Sequence, residues 1–251
     1  EMLDNSQKRF ADRPLFGTKR GGNYEWTTYE QFAEKVDNFR GGLASLGVSS
    51  GDKVTIISKN TEEWAVSAYA TYGLCAQHIP MYETQLVKEW EYIVRDCSAK
   101  ILFVSNPSVL EQTLDFPERI DSLEHVILIS GTSTNEVKTY DDLLKTGREN
   151  PVKAQQPDSG SPMGMIYTSG TTGDPKGVIL SHRNIIFECL AVLPLLGMNE
   201  NDRSLAFLPW AHVFGQVAEV HGLLNSGGSA GLVDDVNTLI EELAVVKPSM
   251  F

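Results

Sequence analysis

This sequence is short of cysteine, of basic charge and of long apolar runs, and each shortage excludes a class of protein. Cys75, Cys97 and Cys189 are the only three cysteines in 251 residues, and they lie far apart. They form neither a disulfide framework nor a metal-ligand spacing, so they read as buried free thiols of a reducing compartment, and no metal site is read from this chain. Lysine and arginine total 21 against 33 aspartates and glutamates, a formal net charge of -12. General nucleic-acid binding needs a basic face and is excluded on that ground; a local basic pocket for a nucleotide is not. No apolar run approaches the roughly 20 residues that cross a bilayer. No basic segment followed by an apolar one opens the sequence, so no signal peptide is expected and the expected location is cytoplasmic.

What is present is 41% apolar content, enough for the core of one large domain or two smaller ones. Phe16 to Thr27 reads as a hairpin turning at Arg20-Gly21-Gly22-Asn23, where paired glycines supply the positive φ of a tight turn. A helix follows, with Thr27 and Glu30 as a capping box and Phe32, Val36, Phe39, Leu43 and Leu46 as its apolar stripe. Gly47 is placed to end it. Thereafter strand and helix alternate. Lys53–Ser58, His78–Tyr82, Lys100–Val104 and Val126–Ile129 read as strands. Helices are expected from Asn60 through Cys75 and over Val87–Asp96. This rhythm predicts an α/β fold of mostly parallel sheets flanked by helices.

Glu149 to Pro162 is rich in Pro, Gln, Ser, Gly and Asp and reads as a linker or surface crossing between two subdomains, 1–156 and 157–251. Beyond it, Met165–Tyr167 and Gly177–Leu180 read as strands flanking a Gly-rich loop. A helix from about Arg183, a strand over Ser204–Leu208, a helix over Val213–Leu224, a strand over Ala230–Val233 and a helix over Thr238–Val246 follow. Lys247–Phe251 reads as the entry to another strand, so the chain is expected to stop within the fold. Asp234-Asp235 and Glu241-Glu242 read as solvated faces, and His78, His125, His182 and His221 as structural.

The chemistry concentrates in Tyr167-Thr168-Ser169-Gly170-Thr171-Thr172-Gly173-Asp174-Pro175-Lys176-Gly177. Three glycines allow tight turning and close approach to a ligand, and successive N–H groups in such a turn form an anion-binding nest. Ser169, Thr171 and Thr172 add hydroxyl donors, and Lys176 a cation that reaches phosphate oxygens. The common P-loop is excluded, because Asp174 and Pro175 separate Gly173 from Lys176 and no hydroxyl follows the lysine. A hydrophilic turn between two strands is the bland alternative. The density of phosphate-binding residues between two apolar strands argues against it.

Thr168 to Gly177 resembles the signature loop of the adenylate-forming superfamily, which comprises acyl-CoA synthetases, luciferases and peptide-synthetase adenylation domains. Val178-Ile179-Leu180-Ser181-His182-Arg183-Asn184 and Leu208-Pro209-Trp210-Ala211-His212-Val213-Phe214 are similar to the following segments of the long-chain acyl-CoA synthetase branch. Gly51-Asp52-Lys53-Val54, Asn60 with Glu63-Trp64, and Ile79 to Thr84 fit the same branch, so the resemblance spans essentially the whole chain. It implies a ligase that joins a fatty acid to CoA through an acyl-adenylate, with ATP, CoA and Mg2+ as co-substrates and cofactor. It implies that Thr168, Ser169, Gly170, Thr171, Thr172, Gly173 and Lys176 hold the β- and γ-phosphates of ATP. His212 would bind the substrate carboxylate or α-phosphate. Trp210 and Phe214 would line the acyl pocket or belong to the core, and Gly215 and Gln216 would face the pocket.

A fatty carboxylate is already ionised at neutral pH and needs no general base. An anion must attack a polyanion, so charge neutralisation and positioning dominate. Long-chain acids partition into bilayers, which makes a peripheral membrane association compatible with this reading. The family's adenine-, ribose- and magnesium-binding motifs find no match before Phe251, so a C-terminal part of the same polypeptide is expected to complete the site. The isolated chain is expected to be inactive. Competing readings are an adenylating enzyme for aryl or amino acids and a truncated nucleotide-binding protein without catalysis.

Overall fold

The computed structural model describes residues 2–132, 137–169, 173–233 and 235–250. Its strands in chain order are β1 (Pro14–Arg20), β2 (Asn23–Thr28), β3 (Lys53–Ile57), β4 (Gln77–Met81), β5 (Ile101–Val104), β6 (His125–Leu128), β7 (Pro162–Thr168), β8 (Lys176–Ser181), β9 (Arg203–Ala206) and β10 (Ser229–Leu232). Two compact units emerge. One comprises Glu1–Lys35, Asn60–Ala65 and Arg183–Phe251; the other comprises Val36–Lys59 and Val66–His182. The division expected at residue 156 does not coincide with this one, since residues on both sides of it lie in the second unit.

The second unit holds a six-stranded sheet in the order β6-β5-β3-β4-β7-β8. All its pairings are parallel except β7 with β8. β3 and β5 are buried almost throughout, which is why they read as continuous apolar runs rather than alternating ones. The helix Val87–Asp96 falls where expected and buries Trp90, Ile93 and Val94 in this unit's core.

The polar stretch before β7 is mostly exposed and belongs to the second unit, where backbone contacts anchor it. The Arg40 Nε–H donates to the Val152 carbonyl at 2.8 Å, and the Gln155 N–H donates to the Gly73 carbonyl at 2.8 Å. β7 then joins the edge of β4 at His78 and Gly164. A Cβ at position 164 would stand 2.1 Å from the His78 carbonyl oxygen, so only glycine lets these strands close. Composition marked the segment as a surface crossing; partners distant in sequence, Arg40 and Gly73, fix its path.

The first unit holds a four-stranded sheet in the order β2-β1-β10-β9. β1 and β2 form the expected hairpin, and Gly21 and Gly22 turn it at φ 55° and 89°. Its core gathers aromatic rings: Phe16 lies 5.5 Å from both Phe32 and Trp210, and Trp64 lies 5.4 Å from Trp210.

Several local expectations shift. The capping box sits one residue later than expected, between Thr28 and Gln31, which exchange backbone-to-side-chain bonds of 2.9 and 3.2 Å. The next helix starts at Glu62, with the Thr61 hydroxyl accepting the Trp64 N–H; it ends at Tyr72, leaving Cys75 in a turn at φ 55°. Helices at Met2–Phe10, Pro107–Thr113, Phe116–Arg119 and Tyr140–Glu149 add to those expected from the sequence. Glu242 is not a solvated residue. It is buried, accepting from Lys19 Nζ at 3.0 Å, the Tyr24 hydroxyl at 2.7 Å and the Thr238 hydroxyl at 2.7 Å. Glu241 is exposed as expected, and Asp234 lies outside the described residues. Residues 247–250 run as coil beside β9, with the Ser249 N–H donating to the Arg203 carbonyl. No described helix is long and apolar enough to cross a membrane.

Candidate active site

The first candidate element is the hairpin β7–β8 in the second unit. Its register sets Thr168 opposite Lys176 and Tyr167 opposite Gly177, so the strands deliver a hydroxyl and an ammonium to one mouth. Thr168, Ser169 and Lys176 are exposed there, as an open anion site requires. Among the described residues no carboxylate pairs with the Lys176 ammonium. Gly173 sits at φ 109° with nothing within 4 Å of where a Cβ would stand, a conformation that disfavours any side chain for reasons of backbone strain alone. Gly170, Thr171 and Thr172, the middle of the expected phosphate cradle, lie outside the described residues.

The base of this hairpin is anchored by a contact that sequence reading missed. The Tyr167 hydroxyl donates to Asp96 Oδ2 at 2.6 Å, at the C-terminal end of the helix Val87–Asp96. Burial, this bond and the negative charge of Asp96 all raise the Tyr167 pKa, so the phenol stays protonated and keeps donating.

The second candidate element is the segment after β9 in the first unit. Pro209 cannot continue a ladder, and the chain leaves the sheet at Phe207. His212 caps the turn that begins at Val213: its Nδ1 accepts the Phe214 N–H at 3.2 Å. With Nδ1 accepting, the neutral imidazole carries its proton on Nε2, and the exposed ring presents that N–H as a donor. Phe214 is exposed, while Trp210 is 1% exposed and packed on Phe16 and Trp64. Of the two roles open to Trp210, the structure supports core over pocket wall. Gly215 lies under the Pro209 carbonyl, which a Cβ would approach to 2.6 Å. Gln216 is buried rather than pocket-facing, and donates to the Trp210 carbonyl.

From Gln216 the helix widens to a π-helical stretch that ends at Gly222. Such stretches recur at functional sites. It buries Glu219, whose pKa rises from 4.5 to about 7, chiefly through desolvation and against the lowering effect of the Trp210 indole and the backbone N–H groups of Leu208 and Phe207. Among the described residues no group of three or more His, Cys, Asp or Glu side chains gathers as a metal site.

Comparison with known proteins gives a consistent picture. A family model described as AMP-binding enzyme matches residues 3–251. Fatty acyl-CoA synthetase B of Dictyostelium discoideum is 28% identical over 272 aligned residues, covering 100% of this chain and 40% of the relative. The long-chain-fatty-acid–CoA ligase FadD15 of Mycobacterium tuberculosis is 32% identical over 235, covering 90% of this chain and 38% of the ligase. This chain therefore spans about two fifths of the length of these curated relatives. Among solved structures, the anthranilate CoA ligase AuaEII bound to anthranoyl-AMP superposes with a TM-score of 0.90 at 23% identity, over 99% of this chain and 48% of that one. ATP-bound MatB from Rhodopseudomonas palustris gives 0.80 at 18%, over 98% and 48%.

Proposed function

Because this chain belongs to the AMP-binding enzyme family, we propose that it supplies the phosphate-binding and acid-facing parts of an ATP-dependent long-chain acyl-CoA synthetase. The observation that carries this is the β7–β8 mouth, where Lys176 and Thr168 face each other beside a glycine at positive φ. A hydroxyl and a cation at one open mouth suit a polyphosphate.

In this reading a fatty carboxylate oxygen attacks the α-phosphorus of ATP. The bond from that phosphorus to the bridging oxygen of the β-phosphate breaks, and pyrophosphate leaves. Thr168, Ser169, Gly170, Thr171, Thr172, Gly173 and Lys176 hold the β- and γ-phosphates and stabilise the charge that gathers on the leaving group. His212 donates its Nε2–H to the carboxylate or α-phosphate and moves no proton. Phe214 offers an exposed apolar surface to the acyl chain. CoA then attacks the acyl carbon through its thiol and releases AMP. A magnesium ion would neutralise phosphate charge; this chain would supply Thr168 and the loop hydroxyls near it, and the acidic ligand would come from residues outside this chain. The exposed apolar residues Phe187, Leu190, Leu195 and Leu196 of the helix His182–Leu196 fit a surface that the remainder of the polypeptide covers.

The fatty-acid assignment draws support from the names of the curated relatives. The fit to an anthranilate CoA ligase keeps aryl acids as a second reading. The test is acid-dependent ATP–pyrophosphate exchange by the full product of the gene that encodes this chain, with long-chain, aryl and amino acids offered in turn. Exchange with long-chain acids is expected. Exchange with another class would keep the chemistry and overturn the substrate, and no exchange would overturn the reaction.

A further inference from the structure

The segment Leu208–His212 stands outside the sheet, yet its backbone polar groups are not left to solvent. The Asn60 Nδ2–H donates to the Leu208 carbonyl at 2.8 Å, and the Asn60 Oδ1 accepts the Trp210 N–H at 2.9 Å. One side-chain amide thus does the work of a neighbouring strand. The Gln216 Nε2–H donates to the Trp210 carbonyl at 2.8 Å. Glu219 closes the set from the π-helical stretch: its Oε2 accepts the Trp210 indole N–H at 3.1 Å, and its Oε1 the Leu208 N–H at 3.4 Å. The N–H and C=O of both Leu208 and Trp210 are therefore held by three side chains.

We propose that Asn60, Gln216 and Glu219 form a polar clamp that positions the Trp210-Ala211-His212 turn, and through it the acid-binding donor His212, with Glu219 and Asn60 as its positioning residues. The inference rests on the acid-facing role proposed above for His212.

Three features support positioning over mere packing. Glu219 and Gln216 are 5% and 2% exposed, so their hydrogen bonds are made where a lost partner is costly. Both Glu219 oxygens face donors, the Trp210 indole and the Leu208 N–H, so one carboxyl grips the turn at two points. The clamp grips the residues immediately before His212, and the Gln216 N–H accepts no freedom either, donating to the His212 carbonyl at 3.2 Å. A turn pinned on both flanks leaves the imidazole little room to wander, and small displacements of a binding group are expensive in rate. In sequence, Asn60 read as a helix start within a segment that fits the acyl-CoA synthetase branch, and nothing local marked Glu219.

The test uses the full gene product, comparing wild type with Glu219→Gln and Asn60→Ala in ATP–pyrophosphate exchange, with thermal midpoints alongside. A clamp that positions His212 predicts that kcat/KM for the acid falls at least tenfold in each variant while KM for ATP stays within twofold. A structural role predicts instead a lowered midpoint, less active enzyme and unchanged KM for both substrates, and that result overturns the proposal. Should Glu219→Gln fail to accumulate as folded protein, Asn60→Ala decides by the same split. Wild type without exchange overturns the reaction and the clamp together. Active wild type with unaffected variants overturns the clamp alone.

Discussion

The ring of Tyr167 lies against Gly177, its partner across β7 and β8, so closely that a Cβ at position 177 would come to 3.0 Å from the phenol Cζ and 3.2 Å from its oxygen. The same phenol is tied to Asp96 at 2.6 Å, so it cannot swing aside without breaking that bond. The glycine that closes the phosphate-loop motif is thus also the space that its aromatic stem requires.

Gly177→Ala should therefore displace the ring and cost about 1–3 kcal/mol, the usual range for overpacking. Tyr167→Phe should cost about 1–2 kcal/mol through loss of a bond to a charged acceptor. The double variant should lose less than the sum, because a displaced ring has already given up Asp96. Urea midpoints of the three variants check this; strict additivity would show that the ring does not move.

Lys176→Ala should leave the thermal midpoint near wild type, because the side chain is exposed. Loss of a charge-stabilising donor should slow ATP–pyrophosphate exchange by about 10²–10³. Lys176→Arg should recover only part of that rate, since the planar guanidinium does not occupy the place of a compact ammonium. Full activity in the alanine variant would remove Lys176 from the cradle.

Two aromatic residues four apart should behave in opposite ways. Trp210→Ala empties a core position beside Phe16 and Trp64 and should cost about 3–5 kcal/mol. Phe214→Ala removes an exposed ring and should change stability by about 0.5 kcal/mol or less. If Phe214 meets the acyl chain, its removal should raise KM for the acid with little change in KM for ATP. Steady-state kinetics with a matched thermal melt separates the two effects.

Glu219 gives the fold a pH dependence of definite sign. Its pKa is raised in the folded state, from 4.5 to about 7, so the folded chain binds the extra proton. Stability from this group is full below about 4.5 and declines as pH rises through 7, by at most about 3 kcal/mol. The groups facing the carboxyl are the Trp210 indole and the Leu208 and Phe207 N–H groups, none of them titratable. His182 and His125, whose pKa values burial lowers, act oppositely by losing stability as pH falls through 6.5. The difference between wild type and Glu219→Gln cancels the histidines. Measured by denaturation at pH 5 and pH 8, it should shift in favour of the glutamine variant at the higher pH; a constant difference would place the Glu219 pKa in its ordinary range.

The strands, the β1–β2 turn and the β7–β8 hairpin were legible because each is fixed by local rules. Continuous apolar runs mark parallel strands buried on both faces, paired glycines mark a turn at positive φ, and a Gly-rich stretch between two apolar runs marks a hairpin. His212 stood out only through the resemblance of its motif, and the structure adds its place as the cap of the turn at Val213. Trp210 was not assignable, because an apolar residue beside a site looks the same in sequence whether it lines a pocket or fills a core. Glu242 misled for a related reason: a charged residue reads as solvated unless its distant partners, here Lys19 and Tyr24, are known.

By itself the sequence determined the α/β class, which follows from periodicity within short windows, and the family, which follows from the resemblance of its motifs. Tertiary structure alone decided that β7 and β8 complete the first large sheet instead of opening a second one. It alone brought Asn60 to the backbone of Leu208 and Trp210, and buried Glu219 beneath the same turn. Those contacts join residues as much as about 150 apart, and a pairing at that separation is chosen by which buried donors and acceptors must find each other, a condition that no local pattern records.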